Sequence, residues 1–112
     1  MSYKIKSRIW IETNNNVLLG EGRISLLKAI EKTGSLSKAA KILKMSYKKA
    51  WHLIDTVNKA AKKPVIVLSV GGKGGGGSQL TPYGKSLVIA FDEINKNCWR
   101  FLDEQVSKIN TL

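Results

Sequence analysis

The sequence predicts a mainly α fold with a small β component, a winged helix-turn-helix followed by a long C-terminal helix. Three observations predict it. The stretch TGSLSKAAKILKMSYKKAWHLIDTVN, Thr33 to Asn58, places apolar residues where two short helices crossing at a tight turn would bury them. Downstream, GGKGGGGS from Gly71 to Ser78 lies between two short strand-like runs and reads as the loop of a wing. After Thr81 the apolar residues keep helical spacing to about Ile109. At 112 residues the chain holds about one domain with one modest core. Residues 1–81 form the winged unit, and residues 82–112 form the long helix of the same unit.

Taken in order, Lys4 to Glu12 (KIKSRIWIE) carries β-branched and aromatic residues in partial alternation. Turn formers Thr13 to Asn16 follow, then Val17-Leu18-Leu19, so a hairpin or a strand with a short return is expected. From Glu21 to Lys32, Ile24, Leu27 and Ile30 recur at helical spacing, and Gly34 stands where a left-handed cap would end the helix. Ser35 or Ser37 can cap the next helix, which runs to about Leu43 with Ala39, Ala40 and Leu43 inward. Small alanines suit two helices that cross closely. Lys44-Met45 makes the turn and Ser46 caps a third helix, in which Ala50, Leu53, Ile54 and Val57 form an apolar stripe. Pro64 stops it. Val65 to Val70 is then a strand, Gln79-Leu80-Thr81 pairs back, and Thr81-Pro82 opens the last helix with a capping hydroxyl and a first-turn proline.

The last helix would be roughly 40 Å long at about 1.5 Å per residue, more than the small core beneath it could cover. Leu87, Phe91, Ile94, Cys98 and Phe101 follow one stripe, which Leu102, Val106 and Ile109 continue with a displacement. A partner chain would cover that stripe, making the protein a homodimer; the alternative is packing wholly on its own domain.

Charge narrows the partner. The chain carries 19 Lys plus Arg against 8 Asp plus Glu, a formal charge of +11, which favours nucleic acid or an anionic membrane surface. Between Lys38 and Lys73, Lys38, Lys41, Lys44, Lys48, Lys49, Lys59, Lys62, Lys63 and Lys73 face one acid, Asp55. From Lys85 onward, Lys85, Lys96, Arg100 and Lys108 are balanced by Asp92, Glu93, Asp103 and Glu104. The positive field belongs to the middle of the chain. No run of roughly 18 apolar residues could span a bilayer, MSYKIKSRIW lacks the apolar region of a signal peptide, and the single Cys98 cannot form an internal disulfide. A cytoplasmic location and no membrane partner are expected.

A helix entering the major groove must offer donors to base edges in its first turns, while its free amides face phosphate. Ser46, Tyr47, Lys48 and Lys49 meet that demand, with His52 one turn on and Ser37 and Lys38 on the preceding helix. Ser46 serves as cap and phosphate ligand, Tyr47 and Lys48 point outward, Lys49 suits backbone phosphate, and Lys73 on the glycine loop can follow the flanking backbone. Lysines on an amphipathic helix are often only its solvated face; the cap and turn before them and the wing after them favour contact. Trp51 fits packing under the wing better than the groove rim.

Other chemistry finds little support. Gly72-Lys73 has Val67 where a phosphate-cradling loop needs glycine, and Gly74 where it needs a hydroxyl. His52 is the only histidine, without partners for a metal site or a nucleophile. No enzyme activity, metal or cofactor is expected.

Two blocks, GEGRISLLKAIEKTGSLSKAAKILKMSYKKAWHLIDTVN (Gly20 to Asn58) and GGKGGGGSQLTPYGKSLV (Gly71 to Val88), cover about half the chain. They resemble the N-terminal DNA-binding domain of ModE-type molybdenum-dependent transcriptional regulators, a branch close to the LysR-type winged helix-turn-helix proteins. The glycine run followed by LT-x-x-G is the more specific part. The resemblance implies that the Ser46 helix is the recognition helix, Gly71 to Ser78 the wing, and the helix after Thr81 the dimerisation element. Full-length members add C-terminal molybdate-binding domains, and the chain to Leu112 has no segment expected to form one; either a separate effector-sensing subunit is the partner that senses the oxyanion, or this form keeps DNA binding and answers a different signal. The expected function is sequence-specific binding of double-stranded DNA in transcription regulation. A sequence-neutral architectural DNA binder, or a protein-interaction module built on the last helix, is the alternative.

Overall fold

The computed structural model describes residues 2–69 and 77–112. The elements run β1 (Ile11–Thr13), β2 (Asn16–Leu19), α1 (Glu21–Thr33), α2 (Leu36–Ile42), α3 (Tyr47–Ala60), β3 (Ile66–Leu68), β4 (Ser78–Leu80), α4 (Pro82–Gln105) and α5 (Ser107–Asn110). Two antiparallel hairpins, β1-β2 and β3-β4, flank the helices. This is the winged helix-turn-helix with a long last helix.

The first hairpin turns through Asn14 and Asn15, both at positive φ (50° and 66°), a conformation that asparagine tolerates and that matches strand twist. The strand expected from Lys4 is shorter: only Ile11–Thr13 pairs, because β2 offers a partner of just four residues. Upstream the chain instead lies along the last helices. Tyr3 N–H donates to Asn110 Oδ1 at 2.8 Å, Asn110 Nδ2 donates back to Tyr3 O at 3.2 Å, and Ser7 Oγ lies 3.5 Å from Cys98 Sγ. Ile5, Ser7, Ile9 and Ile11 are half-buried while Lys4, Lys6, Arg8 and Trp10 are exposed. The alternation therefore reports extended backbone laid on a surface, not sheet pairing.

Helix α1 ends as expected, with Gly34 at φ 68° donating to Ile30 O. Its Ile24, Leu27 and Ile30 join Leu36, Ala39 and Ala40 of α2, and Ala50, Ile54 and Val57 of α3, in one core. Helix α3 ends at Ala60, before Pro64 is reached. Helix α4 joins the core through Val88 and Phe91, with Leu87 packed against it. Full burial of a side chain such as Phe91 contributes about 1.5–3 kcal/mol, enough to hold the near half of α4 on its own domain. Beyond Phe91 the helix departs, which accounts for the 63 Å long dimension beside 29 and 22 Å. It does not run unbroken to Ile109: α4 stops at Gln105, where the Ser107 hydroxyl takes the Glu104 carbonyl at 3.0 Å, a bond that competes with the helical ladder.

Candidate nucleic-acid interface

The turn between α2 and α3 follows from residues on either side of it. Lys44 adopts φ 56°; its N–H donates to Lys41 O and that of Met45 donates to Ala40 O, at 3.1 and 3.0 Å. This is a Schellman ending with lysine in the position glycine usually takes. Ala39, Ala40 and Ala50 are buried at the crossing, so the absence of larger side chains permits the close approach. Ser46 then caps α3 by accepting from Lys49 N–H at 3.1 Å, and Ser35, rather than Ser37, caps α2 by accepting from Lys38 N–H at 3.1 Å.

The cap starts α3 so that Ala50, Ile54 and Val57 face inward while the other side of its first two turns faces outward. Tyr47 is 55% exposed, and Lys48, Lys49 and His52 are exposed with it. Ser37 and Lys38 are exposed on the first turn of α2. Trp51 corrects the packing expectation: it is 44% exposed and, with Ser46, Lys48, Lys49 and His52, lines a shallow, mainly apolar depression on α3. Its place at the edge of the buried stripe left both orientations open to sequence reasoning.

Three residues fix the root of the second hairpin against these helices. Asn58 of α3 accepts from Val65 N–H and Ile66 N–H at 2.8 and 3.1 Å and donates to Ile66 O at 3.0 Å. Ser78 donates its N–H to Gly34 O at 2.9 Å, while its buried hydroxyl accepts from Leu36 N–H at 3.2 Å. Thr81 donates its N–H to Val65 O at 2.9 Å and caps α4 through Gly84 N–H. Ser78 thus belongs to β4 rather than to the glycine loop. Thr81 was expected here, as the end of the returning strand and the cap of the last helix, whereas Asn58 and Ser78 were not singled out for this role in the sequence; an asparagine in the last turn of a helix, facing a following strand, is the one signal that Asn58 gave. Lys73 and the glycines around it, Gly71 to Gly76, lie outside the described residues.

Sequence comparison places this arrangement among known proteins. No protein-family model matches the chain. It is 39% identical over 104 residues to the molybdenum transport protein ModE of Azotobacter vinelandii, covering 93% of this chain and 38% of that protein. It is 39% identical over 94 residues to the DNA-binding transcriptional dual regulator ModE of Escherichia coli K12, covering 80% and 36%. To the transcriptional regulator ModE of Yersinia pestis it is 46% identical over 70 residues, covering 62% and 27%. The chain belongs to the ModE family.

The chain spans about a third of the length of these relatives. Its similarity and its fold correspond to the DNA-binding part of ModE proteins. On α4 of this ModE-family chain, the residues expected to meet a partner divide. Phe91, 2% exposed, is in the chain's own core and has no surface to share, and Leu87 packs against that core. Ile94 and Phe101 are 51% and 57% exposed. Cys98 and Leu102 are half-buried, Cys98 beside Ser7 of the N-terminal segment. Among the described residues, no helix is long and apolar enough to cross a membrane.

Proposed function

We propose that the chain is a sequence-specific regulator of transcription that binds double-stranded DNA as a cytoplasmic homodimer. The observation that carries the reading is the outward face of α3: a serine-capped helix start with Tyr47, Lys48, Lys49, Trp51 and His52 exposed, held by a buried alanine crossing. Such a start fits the major groove, with Ser46 and Lys49 serving phosphate and Tyr47, Lys48 and His52 reaching base edges. Trp51 adds an apolar surface suited to a thymine methyl group. Ser37 and Lys38 serve the adjacent backbone, and Lys73 the flanking one. Two relatives, a DNA-binding transcriptional dual regulator and a transcriptional regulator, support the same class.

In the dimer, Ile94 and Phe101, two helical turns apart, meet their counterparts on a second copy, with Cys98 and Leu102 at the margin. Two recognition helices then address half-sites about one DNA turn, or a small multiple of it, apart.

Selection of bound duplexes from a random pool at near-physiological salt tests the reading, followed by the variants Tyr47→Ala and Lys48→Ala. A two-fold-related motif is expected, and each variant should lower preference for it by about 1–3 kcal/mol while unrelated DNA is bound almost as before. Enrichment of no motif would leave only a sequence-neutral binder.

A further inference from the structure

At the end of α3 away from Ser46, the first hairpin, α1 and α3 enclose a cleft of about 420 Å³. Thr13, Asn14 and Asn16 of the hairpin, Arg23 of α1, and Thr56 and Lys59 of α3 form its walls, and no acidic residue lines it. Lys59 lies about 18 Å along the helix axis from Tyr47 at about 1.5 Å per residue, so the cleft is separate from the turns proposed to face DNA.

Arg23 decides what such a cleft can hold. Its Nε is closed off from solvent and has no hydrogen-bond partner among the described residues. Its guanidinium joins no ion pair among the described residues, where Arg8 pairs with Glu21, Lys28 with Asp92 and Lys59 with Asp55. Arginine stays charged and carries five N–H donors with no acceptor of its own. Buried polar groups in folded proteins are almost always paired; with Nε shut off inside and neither carboxylate nor carbonyl on the side chain among the described residues, the terminal N–H groups of this half-buried arginine are free to take an anion from the cleft. Planar guanidinium donors match the oxygen spacing of phosphate-like groups.

The neighbouring side chains agree with that chemistry in part. The Thr13 hydroxyl has no partner among the described residues and can donate, as can the side-chain amide of Asn14. Thr56 is committed to Leu53 O at 2.8 Å, and Asn16 Nδ2 makes a long 3.4 Å bond to Asn14 O. Lys59 Nζ lies 2.9 Å from Asp55, so it brings a shared charge and leaves Arg23 as the main attraction.

The geometry points to a binding site for a tetrahedral oxyanion of the phosphate or sulfate type in this cleft, with the Arg23 guanidinium as its chief ligand. Thr13 and Asn14 supply neutral donors from the hairpin, and Lys59 attracts the anion from the last turn of α3. The anion links three elements that share few polar contacts otherwise. It arrives either free in solution or as a backbone phosphate of bound nucleic acid; the recognising chemistry is the same.

Nitrogen-15 NMR of the whole chain reads the site directly through the Arg23 Nε–Hε signal, assigned by its disappearance in Arg23→Lys. Titration with sodium sulfate or sodium phosphate, against sodium chloride at equal ionic strength, should give a saturable shift of that signal and of the Thr13 to Val17 amides. Apparent affinity should fall at least tenfold in Arg23→Gln and several-fold in Lys59→Ala, whose exposed side chain leaves folding intact. Saturation by the free anions identifies a soluble ligand; a shift produced only by a DNA duplex identifies a backbone phosphate. A non-saturating drift like that of chloride, with no response to duplex, overturns the site, as does saturation unchanged in both variants.

Discussion

Gly84 sits on the third residue of α4 against the strand entry at Val65, and alanine there has a calculable cost. A Cβ would stand 2.3 Å from Val65 O and 3.0 Å from Val65 Cγ1, while ordinary contact begins at 3.4 Å. The backbone segments must therefore separate by about 1 Å, since a carbonyl cannot rotate away as a side-chain tip could. Overpacking of this kind costs about 1–3 kcal/mol. The Thr81 N–H to Val65 O bond, 2.9 Å, is strained or lost with it, at about 1 kcal/mol. Alanine's helix preference returns less than about 1 kcal/mol at a first-turn position. A net loss of about 2–3 kcal/mol is expected, a lowering of Tm on the order of 10 °C for a domain of this size. Urea unfolding measures it through the midpoint at unchanged slope. Gly22→Ala is the control: its Cβ meets nothing within 4 Å, and that variant should be neutral or slightly stabilised. If Gly84→Ala unfolds at or above the wild-type midpoint, the close approach of α4 to the wing root is not as described.

Asn58→Ala removes one donor and strands the Val65 and Ile66 amides, so a loss of about 2–3 kcal/mol is expected by urea unfolding; Asn58→Asp, which can still accept from both amides, should fall between. Lys73→Ala should weaken cognate and unrelated DNA alike and flatten the salt dependence of binding by about one unit in a log–log plot; an unchanged slope would remove Lys73 from the interface. Phe101→Glu should shift the chain to monomer in sedimentation at micromolar concentration with helical content retained, because it places a charge on the proposed contact without touching the core; a persisting dimer would move the contact elsewhere.

Much of this was legible because it is local. Gly34 ends α1, Ser46 starts α3 and Thr81-Pro82 starts α4 through backbone groups within a few residues of each signal, and the apolar stripe of α3 follows from its own period. The glycine run between two short strands announced a hairpin for the same reason. Errors arose where a residue's partner is distant. Lys4 to Trp10 has the period of a strand, but it is laid on other parts of the fold: Tyr3 just before it bonds Asn110, Ser7 meets Cys98, and Ile9 packs on the core.

By itself the sequence determined the helix-turn-helix, the positive middle region and the outward side of Tyr47, Lys48 and His52, since caps and periodicity act over one or two turns. Only the tertiary structure decided that Phe91 closes the chain's own core while Ile94 and Phe101 stay open, that Trp51 turns outward, and that Arg23 is left without an acceptor among the described residues. Those outcomes depend on which surfaces meet after the elements form. A stripe on a helix records that something apolar must cover it, and the path of the rest of the chain settles how much is covered from within.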